Sequence, residues 1–233
     1  MSQLTSSSAF MLMIAIAVVG FFVQMRLKSV FDKYSRVPSP NGMSGREAAE
    51  MMLRDNGISN VRVVSVGGSL TDHFDPRNMT VNLSESVYAS RSVSAIAVAC
   101  HECGHAVQHA RAYAPLVMRS QLVPMVSFSS RMATWVILAG MLMISSGIGE
   151  TLCWVGIGMI ALSAIFSIVT LPVEYNASAR AMEWMERSGV MGGVQLKQAG
   201  EALSWAARTY LVAALSAIAT LLYYAMLLLG RRD

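Results

Sequence analysis

The sequence predicts an α+β fold in which a helix, a short antiparallel sheet and a second helix are merged with about four transmembrane helices. The chain is 54% hydrophobic and only 14% charged, which is too apolar for an ordinary soluble domain. Four long stretches contain no Lys, Arg, Asp or Glu. Between the first two of them lies a segment with helix and strand patterns, which accounts for the α+β part.

The four apolar stretches are residues 9–25, 132–149, 151–173 and 211–230. Each is about long enough, the first only just, to cross a hydrocarbon core of roughly 30 Å at about 1.5 Å per helical residue. We therefore interpret them as transmembrane helices; the alternative is that they are buried core helices of a soluble protein.

The first apolar stretch is expected to be a retained anchor, residues 1–28. No positively charged side chain precedes it, whereas four cations follow between residues 26 and 36, and a cleaved secretory signal has the opposite polarity. By the positive-inside rule these cations put the following residues on the cytoplasmic side. Four spans then leave Arg231 and Arg232 outside, against the same rule.

The net charge of +4 suits anionic lipid better than nucleic acid, for which the sequence has no motif.

Residues 29–131 are predicted to form the α+β unit. Ser44 and Glu47 make a capping-box pattern at the start of a helix that stops at Asn56-Gly57. Residues 60–66 alternate as a strand, and residues 67–84 read as a hairpin with its turn at residues 75–78. Residues 92–110 predict one helix of about five turns. Pro115 and Pro124 are expected to break the chain into short segments before the second span.

The remaining boundaries follow from the spans. Residues 132–173 form a transmembrane hairpin, residues 174–209 a helical segment, and residues 210–233 the last transmembrane helix. Because a hairpin returns the chain to the side that it left, Glu174 should reach the face that carries the helix of residues 92–110. We expect Glu174 to open a helix after Pro172, where the helix N-terminus favours a carboxylate.

The predicted helix of residues 92–110 contains "HECGH", which is the pattern H-E-x-x-H. His101 and His105, four residues apart, lie on one face of a helix and can bind one cation. Glu102 lies about 100° round the helix and can reach a water on that cation without being a ligand. This pattern is typical of a zinc hydrolase, and a catalytic zinc needs a third protein ligand.

Three side chains are candidates for that ligand. His109 lies about 6 Å beyond His105 along the same straight helix and lacks the glycine turn that would swing it back, so it is not expected to bind. His73, in the hairpin, is an alternative ligand or a substrate contact. Glu174 is the preferred ligand. Cys100 and Cys103 form C-x-x-C, but we expect them to pack in the core because no second pair of cysteines is present.

Four stretches, "LTDHFDPRNMTVNLSESVY", "AVACHECGHAVQHA", "YAPLVMRSQLVP" and "LPVEYNASARAMEWME", resemble the membrane-bound neutral zinc metallopeptidases of the YugP type. The chain is more distantly similar to the HtpX and CAAX-prenyl-protease gluzincins, a resemblance that implies a gluzincin-like unit with Glu174 as the third zinc ligand. Ser178 stands where the HtpX-like pattern commonly has Asp. Either Ser178, Asn176 or a carboxylate elsewhere in the chain hydrogen-bonds a histidine ligand, or the zinc is held more weakly. Tyr175, Asn176, Ser178 and His73 are therefore candidates to contact substrate or the ligands.

The predicted function is that of a multi-pass, zinc-dependent metalloendopeptidase with one Zn²⁺ per chain and Glu102 as general base. Its expected substrates are unfolded or membrane-proximal polypeptides, as in membrane-protein quality control, cleaved near the cytoplasmic face of a prokaryotic plasma membrane. An intramembrane protease is disfavoured because only a short apolar run precedes His101 and Arg111 follows soon after. A membrane scaffold or regulator with a structural metal site remains the alternative.

Overall fold

The computed structural model describes residues 2–230, and their side chains from residue 7 onward. The helices and strands of this part follow the predicted order and confirm an α+β fold with long apolar helices. They are α1 Ser2–Ser35, α2 Gly45–Asp55, β1 Arg62–Val66, β2 His73–Asp75, β3 Thr80–Ser84, α3 Glu85–Tyr88, α4 Val93–Ala110, α5 Ala114–Leu142, α6 Gly147–Arg187 and α7 Gly193–Leu229.

The chain divides into two compact units. The first consists of the described parts of Met1–Phe22, Met118–Leu171 and Thr209–Asp233. The second consists of Val23–Val117 and Pro172–Arg208. Every residue of the candidate metal centre belongs to the second unit.

The first unit consists mainly of the apolar parts of the long helices. Within the described residues, α1, α5, α6 and α7 are long and apolar enough to cross a membrane, which confirms the prediction of four spans. Small residues allow close packing among them: a Cβ on Gly20 would lie 2.9 Å from Val212, and one on Gly156 would lie 2.3 Å from Ile137. Such contacts are typical of helix packing in lipid. Arg231 and Arg232, whose sidedness conflicted with the charge rule, lie outside the described residues.

Three prolines were expected to mark chain breaks or helix starts, and this expectation was wrong. Pro115 lies in the first turn of α5, where a missing N–H needs no partner, and Pro124 lies inside the same helix. Pro172 lies inside α6, so that Glu174 is within a helix and does not open one. Long apolar helices tolerate internal proline because neighbouring groups satisfy the freed carbonyls.

The second unit contains α2, the helix that the capping box predicted. The Ser44 side chain accepts from the Glu47 backbone N–H, and the Glu47 carboxylate accepts from the Ser44 backbone N–H at 2.7 Å. α2 ends where Asn56-Gly57 was expected to stop it, with Gly57 at φ +72°. Both ends of this helix are therefore fixed by local sequence.

The sheet has the strand order β1-β3-β2. β2 and β3 form the predicted antiparallel hairpin, with Asp75 accepting from the backbone N–H of Arg77 in its turn. β1 pairs with β3 in parallel, so that the sheet is mixed, whereas a wholly antiparallel one was expected. The hairpin occupies one side of β3 and leaves only its other side to β1. β3 is buried throughout, and β2 is an edge strand.

α4 is the central helix of the second unit. It begins at the N-cap Ser92, whose side chain accepts from the backbone N–H of Ala95. Most of its residues are buried, including the fully enclosed Ile96 and Cys100. It packs against α2, α3 and the sheet, which leaves one side to face the residues of α6 from Pro172 onward.

Candidate metal centre

His101 and His105 project from the same side of α4, as their spacing predicted. Their ring centroids are 4.8 Å apart and the rings are nearly perpendicular. His105 is buried and His101 is half-buried. One helix therefore supplies two imidazole nitrogens that point toward a common position.

Glu174 of α6 completes the cluster. Its Oε2 lies 3.3 Å from His101 Nε2 and 3.5 Å from His105 Nε2, and the side chain is only 2% exposed. Ligand atoms at about 2.0–2.1 Å from a tetrahedral zinc are roughly 3.3 Å apart. The two measured separations match that edge, and all three ligand atoms lie within 4.8 Å of one another.

The chemistry of these groups also suits a cation. Two imidazole nitrogens and a carboxylate oxygen are the usual donors of a hydrolytic zinc site. Burial alone would lower the pKa of His105. The hydrogen bond with Glu174 and the charges of Glu102 and Glu174 outweigh this effect, so that the pKa is raised above its usual value. The centre thus stabilises positive charge at the position that a metal ion would take.

Gly104, inside the histidine motif, allows this cluster to form. A Cβ at this position would lie 2.5 Å from the backbone oxygen of Ala177. The backbones of α4 and α6 therefore come closer here than any side chain on residue 104 would permit, and Glu174, one turn before Ala177, reaches the two histidines.

Glu102 lies beside the cluster and contacts the edge strand. Its Oε2 accepts a hydrogen bond of 3.1 Å from the backbone N–H of Phe74, and the residue is largely buried. Because this N–H points toward Glu102, it is not used in the pairing of β2 with β3. The hairpin therefore flanks α4 and touches the centre through its main chain.

Two polar side chains lie behind the histidines. Ser178, the residue that stands where the HtpX-like pattern commonly has Asp, places its Oγ 3.1 Å from His101 Nδ1. Gln108 Oε1 is 3.0 Å from His105 Nδ1, and the sequence analysis missed this residue. Its signal was its spacing, three residues after His105 and on the same side of α4. Asn176 contacts Gln108 and neither histidine.

The other predicted residues lie around the centre and outside the cluster. His73 Nδ1 bonds the Thr71 carbonyl at 2.7 Å and its Nε2 is 3.2 Å from the Asn82 amide, so that both ring nitrogens are engaged within the hairpin. The His109 ring is 5.6 Å from the Phe74 ring and is exposed. Tyr175 is 48% exposed.

The cysteines of the C-x-x-C pattern are free and fully buried. Cys103 Sγ lies 3.5 Å from the Ala49 carbonyl of α2, on the side of α4 away from the histidines. Burial raises the pKa of both thiols, which keeps them protonated. Their environment is that of packed core side chains.

The chain thus combines apolar helices long enough to span a membrane with a buried His-His-Glu cluster. These two features place it in the class of membrane proteins with a candidate zinc centre. A family model described as "Putative neutral zinc metallopeptidase" matches residues 9–229. The chain belongs to this family of membrane zinc peptidases.

A curated relative, the "Putative membrane protease YugP" of Bacillus subtilis (strain 168), is 42% identical over 224 residues, which cover 95% of this chain and 97% of the relative. The similarity therefore includes the apolar helices as well as the second unit. No solved structure matches the chain.

Proposed function

We propose that this protein hydrolyses peptide bonds by means of one zinc ion per chain, held by His101, His105 and Glu174, with Glu102 as the general base. The observation that carries the proposal is the convergence of three donor atoms with separations of 3.3 and 3.5 Å. Glu102 follows His101 directly and lies beside this cluster. The arrangement supports a gluzincin-type H-E-x-x-H centre.

The bound zinc ion supplies Lewis acidity, which makes water more acidic and polarises the scissile carbonyl. The chain supplies the proton transfers. The Glu102 carboxylate takes a proton from the attacking water and delivers it to the leaving amine, so that the amide C–N bond breaks without release of an amide anion. The Phe74 N–H holds Oε2 of this carboxylate and leaves Oε1 for the water.

The edge strand β2 suggests how a substrate is held. An extended peptide that pairs with an exposed strand edge gains main-chain hydrogen bonds with little sequence preference. The Glu102 carboxylate accepts from the Phe74 N–H on that edge, so that a peptide paired with the other main-chain groups of the edge would lie across the centre. This binding mode favours unfolded polypeptides, and the apolar helices favour segments near a membrane.

We further propose that the centre lies near the cytoplasmic face of a prokaryotic plasma membrane. The cations Arg26, Lys28, Lys33 and Arg36 follow the apolar part of α1, and such clusters favour the cytoplasmic side. They belong to the same unit as the metal centre. Labelling a single cysteine introduced at exposed residue 36, in a variant that lacks the three native cysteines, with an impermeant reagent would test this.

The enzymatic proposal is tested with the detergent-solubilised protein. We expect close to one zinc per chain and cleavage of an unfolded polypeptide. Glu102→Gln should retain zinc and lose at least about 100-fold in cleavage rate, because the general base is removed while the ligands stay. Glu186→Gln, the same change at an exposed position of α6, is the matched control and should cleave normally. Equal cleavage by a folded, zinc-loaded Glu102→Gln variant would refute the role of Glu102.

A further inference from the structure

Gln108 is a fully buried polar side chain that the mechanism above does not use. It is 0% exposed, and its amide makes three contacts. Oε1 is 3.0 Å from His105 Nδ1, while Nε2 donates to the Val173 carbonyl at 2.8 Å and to Asn176 Oδ1 at 3.0 Å. The side chain thus connects a predicted zinc ligand on α4 with the backbone next to Glu174 on α6.

The partners of Gln108 determine which way its amide points. The Val173 carbonyl can only accept, so that the atom facing it is the amide nitrogen. Arg180 Nε is 2.7 Å from Asn176 Oδ1, and since a guanidinium only donates, the Asn176 atom shared by Arg180 and Gln108 is an oxygen. Two independent acceptors therefore hold the Gln108 nitrogen, and its oxygen must face His105.

This orientation fixes the tautomer of the neutral imidazole. An amide oxygen accepts only, so Nδ1 of His105 carries the proton and Nε2 of the neutral ring directs its lone pair toward Glu174 Oε2, 3.5 Å away. His101 is held differently, because Ser178 has a hydroxyl that both donates and accepts and that rotates freely. Of the two histidines, His105 has the more strictly defined tautomer and ring plane.

We propose that Gln108 is a positioning residue that sets the affinity of the centre for zinc by fixing the tautomer and orientation of His105. The inference rests on the proposed function, since it assumes that His105 binds zinc. Partners of this kind typically change metal affinity about 10–100-fold. Gln108 is buried beside the cluster and makes no contact with the reacting atoms, so its effect is expected in zinc binding.

A pair of variants separates this role from a merely structural one. Gln108→Met keeps the length of the side chain and removes all its hydrogen bonds. Gln108→Glu likewise loses the hydrogen bonds that Nε2 donates to Val173 and Asn176, but it keeps an acceptor for His105. If positioning matters, the zinc Kd measured by chelator competition should rise about 10–100-fold in Gln108→Met and recover most of this loss in Gln108→Glu. Gln195→Met on α7 is the control and should bind zinc as the wild type does.

Equal Kd values for folded Gln108→Met and wild type would overturn the inference, as would equal losses in both Gln108 variants. A measurement on the wild type covers the case in which the variants do not fold. With Co²⁺ in the centre, the Nδ1–H of His105 should give a shifted proton resonance that exchanges slowly with solvent because Gln108 buries it. Rapid exchange of this proton would refute the inference.

The outcomes also distinguish this inference from the proposed function. Zinc binding without cleavage by the wild type would refute the peptidase alone. Zinc binding and cleavage that are both indifferent to Gln108→Met would refute the positioning role alone. A wild-type chain that binds no zinc would overturn both.

Discussion

Gly104 shows that the variable positions of the H-E-x-x-H pattern are constrained in this chain. A Cβ at residue 104 would meet the Ala177 carbonyl carbon at 3.0 Å as well as its oxygen at 2.5 Å. Both atoms belong to the backbone and cannot move aside as a flexible side chain could. The small size of residue 104 is therefore a condition for Glu174 to approach His101 and His105.

Gly104→Ala should push α4 and α6 apart and weaken the centre. Overpacking of this kind costs about 1–3 kcal/mol, and the ligand separations near 3.3 Å should lengthen, so we expect a lower Tm and at least a 10-fold rise in the zinc Kd. Gly158→Ala, in α6 with nothing within 4 Å of the added carbon, is the control and should be neutral or stabilising. Unchanged zinc affinity in a folded Gly104→Ala protein would contradict this account.

At the scale of elements, local signals define α2 more completely than any other helix. Ser44 and Glu47 satisfy each other's backbone N–H groups, and Gly57 provides the left-handed stop. The hydrogen bonds from the backbone and side chain of Ser44 lower the pKa of Glu47. The stability that comes from the ionised Glu47 is therefore present above its unfolded pKa and is lost as the pH falls through the lower, folded value.

Ser44→Ala should destabilise the protein by about 1 kcal/mol at neutral pH, because the N-cap acceptor is lost. The difference from wild type should begin to shrink as the pH falls below the normal pKa of Glu47, and it should be smallest below the lower, folded pKa, where protonation has weakened the box in the wild type as well. Chemical unfolding at several pH values measures this. Ser188→Ala is the control: Ser188 follows α6 directly, and its hydroxyl donates to the Met185 carbonyl. A difference that is independent of pH would argue against the capping box.

Elements with local signals could be predicted from the sequence, and elements fixed by tertiary contacts could not. The capping box, the Asp75 turn and the histidine spacing depend on neighbours a few residues away. The helical state of Pro124 and Pro172 depends on packing and an apolar surrounding, which a proline pattern does not reveal. The parallel pairing of β1 with β3 depends on which edge of β3 the hairpin leaves open.

The candidate site divides in the same way. His101, Glu102 and His105 are adjacent on one helix and were found by spacing, whereas Glu174 needed the topological argument of a returning hairpin. Gln108 acts through groups of α6 that lie 65 positions away, and the contact of Phe74 with Glu102 involves a backbone N–H. The spacing of Gln108 from His105 could be seen in the sequence, but its partners on α6 and the main-chain contact of Phe74 leave no residue pattern.

At the scale of the whole molecule, the second unit is assembled from parts of the chain that the apolar segments separate. Trp184 Nε1 donates to Asp55 Oδ2 at 2.9 Å across 129 positions, and the Tyr34 hydroxyl donates to Glu201 across 167 positions. His101 and Ser178 are likewise 77 positions apart. An ion held by His101, His105 and Glu174 would add a further long-range link, absent from the unfolded chain because its ligands are then far apart.

Removing zinc should therefore lower thermal stability. Free zinc at about 100 times its Kd contributes about 2.7 kcal/mol to the folded state, which for a chain of this size corresponds to a Tm shift of about 5–10 °C. Scans of the detergent-solubilised protein with a chelator and with added zinc would measure the shift.

Glu174→Ala should abolish this Tm shift because one of three ligands is missing, whereas His109→Ala should retain it because His109 is exposed on the next turn. Stoichiometric zinc and a full Tm shift in Glu174→Ala would contradict the ligand assignment, and loss of the shift in His109→Ala would bring His109 into the centre.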